Sequence, residues 1–173
     1  EQTGFGGALA FGDVDGAGVP DLVVGAEADA PIAADGVFVY DGAGLPTAPV
    51  QDDDPCPDWG TAPTVVACAD ALRGVSCSGN GFGDAVALGD VDGDGDDDLV
   101  VGAPLADVDG AGSSGAAYVY PGGLGGLAVA EAAILVDSSP EADEELGRSV
   151  AMLPSNLGAA PRDEVLVGAG LAA

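Results

Sequence analysis

Six aspartates fall within nine residues of this chain, Asp90-Val91-Asp92-Gly93-Asp94-Gly95-Asp96-Asp97-Asp98, and an apolar run, Leu99-Val100-Val101, follows at once. Such dense negative charge repels itself unless a cation fills it. The spacing suits a hard cation. Asp90, Asp92, Asp94 and Asp98 put carboxylates at the first, third, fifth and ninth places, with Gly95 at the sixth and Asp96 offering a backbone carbonyl at the seventh. That is the oxygen cage Ca²⁺ prefers. The loop also recurs: Asp13-Val14-Asp15-Gly16-Ala17-Gly18-Val19-Pro20-Asp21 precedes Leu22-Val23-Val24-Gly25-Ala26.

The recurrence extends well beyond the loops. Phe5-Gly6, Ala8-Leu9-Ala10, loop 13–21, Leu22–Ala26 and Gly36-Val37-Phe38-Val39-Tyr40 form a first cassette. Phe82-Gly83, Ala85-Val86-Ala87-Leu88, loop 90–98, Leu99-Val100-Val101-Gly102-Ala103-Pro104, Ala116-Ala117-Tyr118-Val119-Tyr120 and Ala133-Ile134-Leu135-Val136 form a second. A third starts at Leu146-Gly147-Arg148-Ser149-Val150-Ala151 and reaches Val165-Leu166-Val167-Gly168. The first copy is longer than the second, and the excess falls in a Pro- and Cys-rich segment at about 50–68, which reads as a loop insertion.

Each cassette reads as short strands punctuated by glycine. Leu99-Val100-Val101 is apolar without alternation, as a strand covered on both faces must be. Tyr118 and Tyr120 share one face and Val119 takes the other. Four short strands in each repeat, buried on both sides, describe a blade stacked between blades.

Phe-Gly at 5–6 and 82–83, Gly-Ala-Pro at 102–104 and the aspartate loop between them resemble the FG-GAP repeat, which builds the blades of integrin α-subunit-like β-propellers. The resemblance implies an all-β chain of four-stranded antiparallel blades. Residues 1–81 are then blade 1 with its insertion, 82–145 blade 2, and 146–173 the first two strands of blade 3. It implies that the aspartate loop joins a blade's first and second strands and holds Ca²⁺, and that ligands bind on the face away from the metal loops. Two and a half blades do not close a ring, since propellers have four to eight. The missing blades come from a longer chain, the favoured reading, or from copies of the same one.

The copies of the loop are unequal. Loop 90–98 keeps every ligand position and is expected to bind strongly. Loop 13–21 has Ala17 at the fifth place, leaving Asp13, Asp15, Asp21 and the Val19 carbonyl, and is expected to bind more weakly. The third carries Pro154, Asn156 and Glu164 with two extra residues, and is expected to have lost its metal. An EF-hand also begins Asp-x-Asp-x-Asp-Gly but needs an acidic residue at position 12, which from Asp90 is Val101. Asp107-Val108-Asp109 lacks a ninth-place acid, Gly115 standing there, and reads as a surface turn. The G-x-G-x-x-G of 110–115 leads into a strand, so no helix N-terminus is available for a phosphate.

Charge and composition exclude further classes. The 30 acidic residues face three arginines (Arg73, Arg148, Arg162) and no lysine, for a net charge of −27. Binding nucleic acid or anionic lipid through a basic patch is therefore excluded, whereas cations and basic partners remain. No apolar run is long enough to span a membrane as a helix. With no histidine and no lysine, the commonest general base and the Schiff-base nucleophile are missing, and no G-x-S-x-G occurs. Glu141, Asp143, Glu144 and Glu145 read as a solvated connection.

Cys56, Cys68 and Cys77 lie close together without C-x-x-C spacing. One disulfide with one cysteine left over is expected, of unspecified pairing, which favours an oxidising compartment; three buried thiols are the alternative. The start at Glu1, without methionine or signal peptide, reads as a mature or excerpted piece of a secreted precursor. Trp59 is either a recognition residue or cover for its own loop.

The resulting expectation is a non-catalytic, extracellular or cell-surface propeller module for adhesion or recognition, with structural Ca²⁺ and a protein or glycan ligand. The 41–81 segment is the expected specific contact. The alternatives are an accessory propeller segment of a larger secreted enzyme and a structural subunit of a surface assembly or filament.

Overall fold

The computed structural model describes residues 4–27, 36–44, 62–67, 79–128, 130, 133–154 and 162–170. Among these there is no α-helix. β1 (Gly4–Gly12), β2 (Asp21–Glu27), β3 (Gly36–Tyr40) and β4 (Thr64–Ala67) form one antiparallel sheet in chain order. β5 (Ala85–Gly89), β6 (Asp98–Ala103), β7 (Ala116–Tyr120) and β8 (Ala133–Leu135) form a second with the same order. β9 (Ser149–Leu153) and β10 (Glu164–Gly168) pair as a third, two-stranded unit. The sheets form an open array, with β1 against β5 and β5 against β9.

One boundary differs from the sequence reading. The fourth strand of blade 1, Thr64–Ala67, lies inside the segment at about 50–68 that reads as an insertion. Val66 is buried in the core while Val65 is half exposed, so a strand of only four residues carries the alternation. Such a run does not stand out among prolines. Cys56, Cys68, Cys77 and Trp59 lie outside the described residues.

The core sits between sheets, as expected for stacked blades. Val23, Val37, Val39 and Val66 of the first sheet pack with Phe82, Leu99, Val101, Tyr118 and Tyr120 of the second. On the far side of the second sheet, Val100, Ala117 and Val119 meet Val150, Met152, Val165 and Val167 of the β9–β10 pair. Tyr118 and Tyr120 thus face one neighbour and Val119 the other, and every residue of β6 and β7 is buried. Phe82 stacks edge-on against both tyrosines, with centroids at 5.3 and 6.1 Å. Each fully buried side chain of this size contributes roughly 1.5–3 kcal/mol.

The glycine motifs have a packing role at these joints. A Cβ on Gly25 would collide with the carbonyl of Gly83, and one on Gly102 with the carbonyl of Gly147. Gly83 and Gly147 themselves have φ of +102° and +91°, where a side chain is strained. The Gly-Ala of one blade therefore seats the Phe-Gly (Leu-Gly in the third) of the next.

Candidate metal loops

Both aspartate loops join the first and second strands of their sheets, β1 to β2 and β5 to β6. Their hydrogen bonds correspond place by place. The first-place carboxylate accepts from the sixth-place glycine: Gly18 N–H to Asp13 Oδ2 at 2.7 Å, Gly95 N–H to Asp90 Oδ2 at 3.0 Å. The third-place carboxylate accepts from the fifth place: Ala17 N–H to Asp15 at 2.9 Å, Asp94 N–H to Asp92 at 3.1 Å. The ninth-place carboxylate reaches back to the second place: Val14 N–H to Asp21 at 3.0 Å, Val91 N–H to Asp98 at 2.7 Å. Its other oxygen accepts from a glycine beyond the third strand, Gly42 at 2.7 Å or Gly122 at 2.9 Å.

These bonds wind each loop so that its carboxylates converge. Oxygens of Asp13, Asp15 and Asp21 lie within 4.8 Å of one another, and so do those of Asp90, Asp92 and Asp98. Asp94, expected to be a fourth ligand, stands apart from its cluster and accepts the N–H of Asp96 at 3.0 Å. In this conformation the two loops therefore offer equal sets of three carboxylates. Val19 and Asp96 occupy the seventh place, where only a carbonyl is needed, and Val19 is 41% exposed. Glu164 opens β10 with its side chain exposed, Pro154 follows β9, and Asn156 lies outside the described residues. Asp107 and Asp109 join no carboxylate cluster among the described residues; their turn instead sends Val108 into the core.

The ninth-place aspartates are buried, Asp21 to 1% and Asp98 to 2% exposure. Burial pushes both carboxyls above the ordinary range, and the charges of Asp15 and Asp92 add to it against the opposing N–H bonds. Among the described residues no arginine pairs with either cluster; Arg148 pairs with Glu145 instead. The buried Oδ1 of Asp13 accepts no hydrogen bond. Convergent carboxylates at this range repel by about 1 kcal/mol per pair in water and several-fold more near protein. A divalent cation reverses that sign, and an orphaned oxygen inside an all-oxygen donor set fits one. Both clusters could hold a metal ion, through Asp13, Asp15, Asp21 and the Val19 carbonyl in one loop and Asp90, Asp92, Asp98 and the Asp96 carbonyl in the other.

A contact missed at the level of sequence links the loops across the blade joint. Asp97 N–H donates to the Asp13 carbonyl at 2.9 Å, and Asp13 N–H returns to Asp97 Oδ2 at 3.0 Å. At the next joint Asp163 N–H donates to the Asp90 carbonyl at 2.6 Å. Gly12 and Gly89 leave room for these carboxylates, since a Cβ on either would run into Asp97 or Asp163. The available signal was the pairing of a glycine before the first aspartate with an aspartate at the eighth place of the following copy. Pro20 and Leu153 stand where those two residues would be on the outer faces of the array.

Four-stranded antiparallel sheets laid face to face, each with an acidic loop between its first two strands, define a β-propeller-type repeat module. Residues 82–120, from the phenylalanine before β5 to the end of β7, match the family model of the FG-GAP repeat, so the second sheet carries an FG-GAP repeat.

Proposed function

We propose that this chain is a non-catalytic, extracellular recognition module whose acidic loops bind structural Ca²⁺. The observation that carries the reading is the matched hydrogen-bond scaffold of loops 13–21 and 90–98, which gathers three carboxylates in each without a basic partner among the described residues. Calcium neutralises the cluster and ties the end of one strand to the start of the next. Affinity of roughly 10⁻⁴–10⁻³ M, typical of extracellular modules, suffices outside a cell. The absence of histidine and lysine from the whole sequence supports a binding role over a catalytic one.

Exposed apolar side chains support a place within a larger array. Phe5, Leu9 and Phe11 project from the first sheet, and Leu153 and Leu166 from the third unit. Further blades, from the same chain or from copies of it, cover these faces. The ligand is a protein or glycan, met through the 41–81 segment where the repeats diverge.

Thermal unfolding with excess Ca²⁺ and with a chelator tests the metal reading. Binding to the native state alone must raise the melting temperature, by an amount that corresponds to about 2.7 kcal/mol at 100 times Kd. Identical melting curves would sink it. Pull-down of a ligand by the native chain, lost when residues 45–61 are replaced by a short linker that leaves Gly42 and β4 in place, tests the recognition surface.

A further inference from the structure

We propose that the metal loop of blade 1 is completed from blade 2, with Asp97 as the positioning residue that holds Asp13 for the cation; this rests on the calcium reading of loop 13–21. Asp13 is the first ligand of its loop, yet both its main-chain groups are engaged by a residue of the neighbouring blade. Its N–H donates to Asp97 Oδ2 at 3.0 Å and its carbonyl accepts from Asp97 N–H at 2.9 Å. The next residue is held from the same side, Val14 carbonyl accepting from Gly123 N–H at 2.9 Å. Three hydrogen bonds from blade 2 thus fix the start of the loop, while Oδ1 of Asp13 is left buried and without a hydrogen bond. Outer partners of this kind orient a ligand and commonly govern metal affinity.

The supporting residues are themselves tied to the second loop. Asp97 lies between Asp96 and Asp98, the seventh and ninth places of loop 90–98. Gly123 follows Gly122, whose N–H donates to Asp98 Oδ1 at 2.9 Å. Both routes into loop 13–21 therefore start from the buried Asp98. Gly12 confirms how closely the parts are fitted, because any side chain there would displace the Asp97 carboxylate. The same backbone bond at the second joint, from Asp163 to the Asp90 carbonyl, makes the arrangement a property of the repeat rather than of one place.

Calorimetric Ca²⁺ titration of the whole chain tests this in an Asp92→Ala background, which disables loop 90–98 and leaves loop 13–21 to be read alone. Adding Asp97→Ala should weaken the remaining site by about 10–100-fold. Asp97→Asn, which keeps an acceptor of the same shape, should weaken it by less than about threefold, a split that loss of charge alone would not produce. Asp109→Asn serves as a charge control and should leave the site unchanged. Equal weakening by Asp97→Ala and Asp97→Asn, or no weakening by either, overturns the positioning role. No Ca²⁺ uptake by the native chain overturns the calcium reading itself, and one ion natively but none in the Asp92→Ala background overturns the assignment of a site to loop 13–21. Melting in chelator confirms that each variant is folded; should Asp97→Ala fail this, strong weakening by the folded Asp97→Asn overturns the shape-based role and near-native affinity supports it.

Discussion

The main-chain N–H of Gly122 donates to the buried Oδ1 of Asp98 at 2.9 Å, so the turn after β7 is fastened to the loop that opens β6. The approach is close enough that a Cβ on Gly122 would collide with the Asp97 carbonyl and crowd that of Val14 in the neighbouring blade. Gly122→Ala should therefore destabilise by about 1–3 kcal/mol, the usual cost of forced overpacking. Gly7→Ala, whose Cβ would meet nothing nearer than 3.4 Å, should change stability by less than about 0.5 kcal/mol. Chemical denaturation of the two variants in chelator checks the contrast, and equal effects would refute it.

Much of the blade was legible because its signals are local. Leu99-Val100-Val101 announces a strand covered on both sides, and Tyr118-Val119-Tyr120 divides between two neighbours as a period of two requires. The aspartate loops were legible because their acidic residues and glycines recur at the same spacing in two repeats. Contacts made between blades were not. Asp97 reads as one more aspartate in an acidic run until Asp13 is brought against it from a different repeat. Asp94 fits the ligand pattern yet accepts the N–H of Asp96 two residues on, the local bond that an aspartate in a turn readily makes. Thr64–Ala67 was missed because four residues give periodicity too little length.

That position of Asp94 changes what its removal should do. Loop 13–21 gathers three carboxylates with Ala17 at the same place, so Asp94→Ala gives loop 90–98 the same acidic set as loop 13–21. Asp92→Ala removes a member of the cluster itself. The calcium-induced rise in melting temperature should fall more with Asp92→Ala than with Asp94→Ala, and both should exceed Asp109→Asn. An Asp94→Ala loss equal to that of Asp92→Ala would mean that Asp94 swings into the site on binding.

Acid should act in opposite directions with and without calcium. Burial is the first cause raising the carboxyls of Asp21, Asp97 and Asp98 above their ordinary value of 3.8, and nearby aspartates add to it. A group whose pKa is higher folded than unfolded binds its proton more tightly in the folded state. Its stabilisation is complete below the unfolded pKa and is lost as pH rises through the folded one. The chelated protein should accordingly melt higher as pH falls from 7 towards about 4, helped by relief of the net negative charge. With excess Ca²⁺, protons compete for the same oxygens and the calcium-dependent increment should shrink over that range. Melting curves across pH in both conditions check the sign, and a chelated protein that loses stability steadily on acidification would contradict it.

Phe5 and Phe82 occupy the same place in successive repeats, but Phe5 is 46% exposed and Phe82 fully buried. Phe82 lies between blades, its ring edge-on to Tyr118 and Tyr120. Phe5 stacks edge-on against Phe38 of its own sheet, at 5.5 Å, and borders an open cavity of about 360 Å³ with Leu9, Leu22, Val24 and Tyr40. Phe82→Ala should cost about 3–5 kcal/mol, as removal of a fully buried ring does. Phe5→Ala should cost well under half as much in the isolated chain, since half of its surface already meets water. If another blade covers that face in a larger assembly, the cost of Phe5→Ala must rise towards that of Phe82→Ala there. Denaturant midpoints of both variants, in the isolated chain and in the assembly, measure this difference; an equal cost for the two in the isolated chain would show that the outer face is already covered.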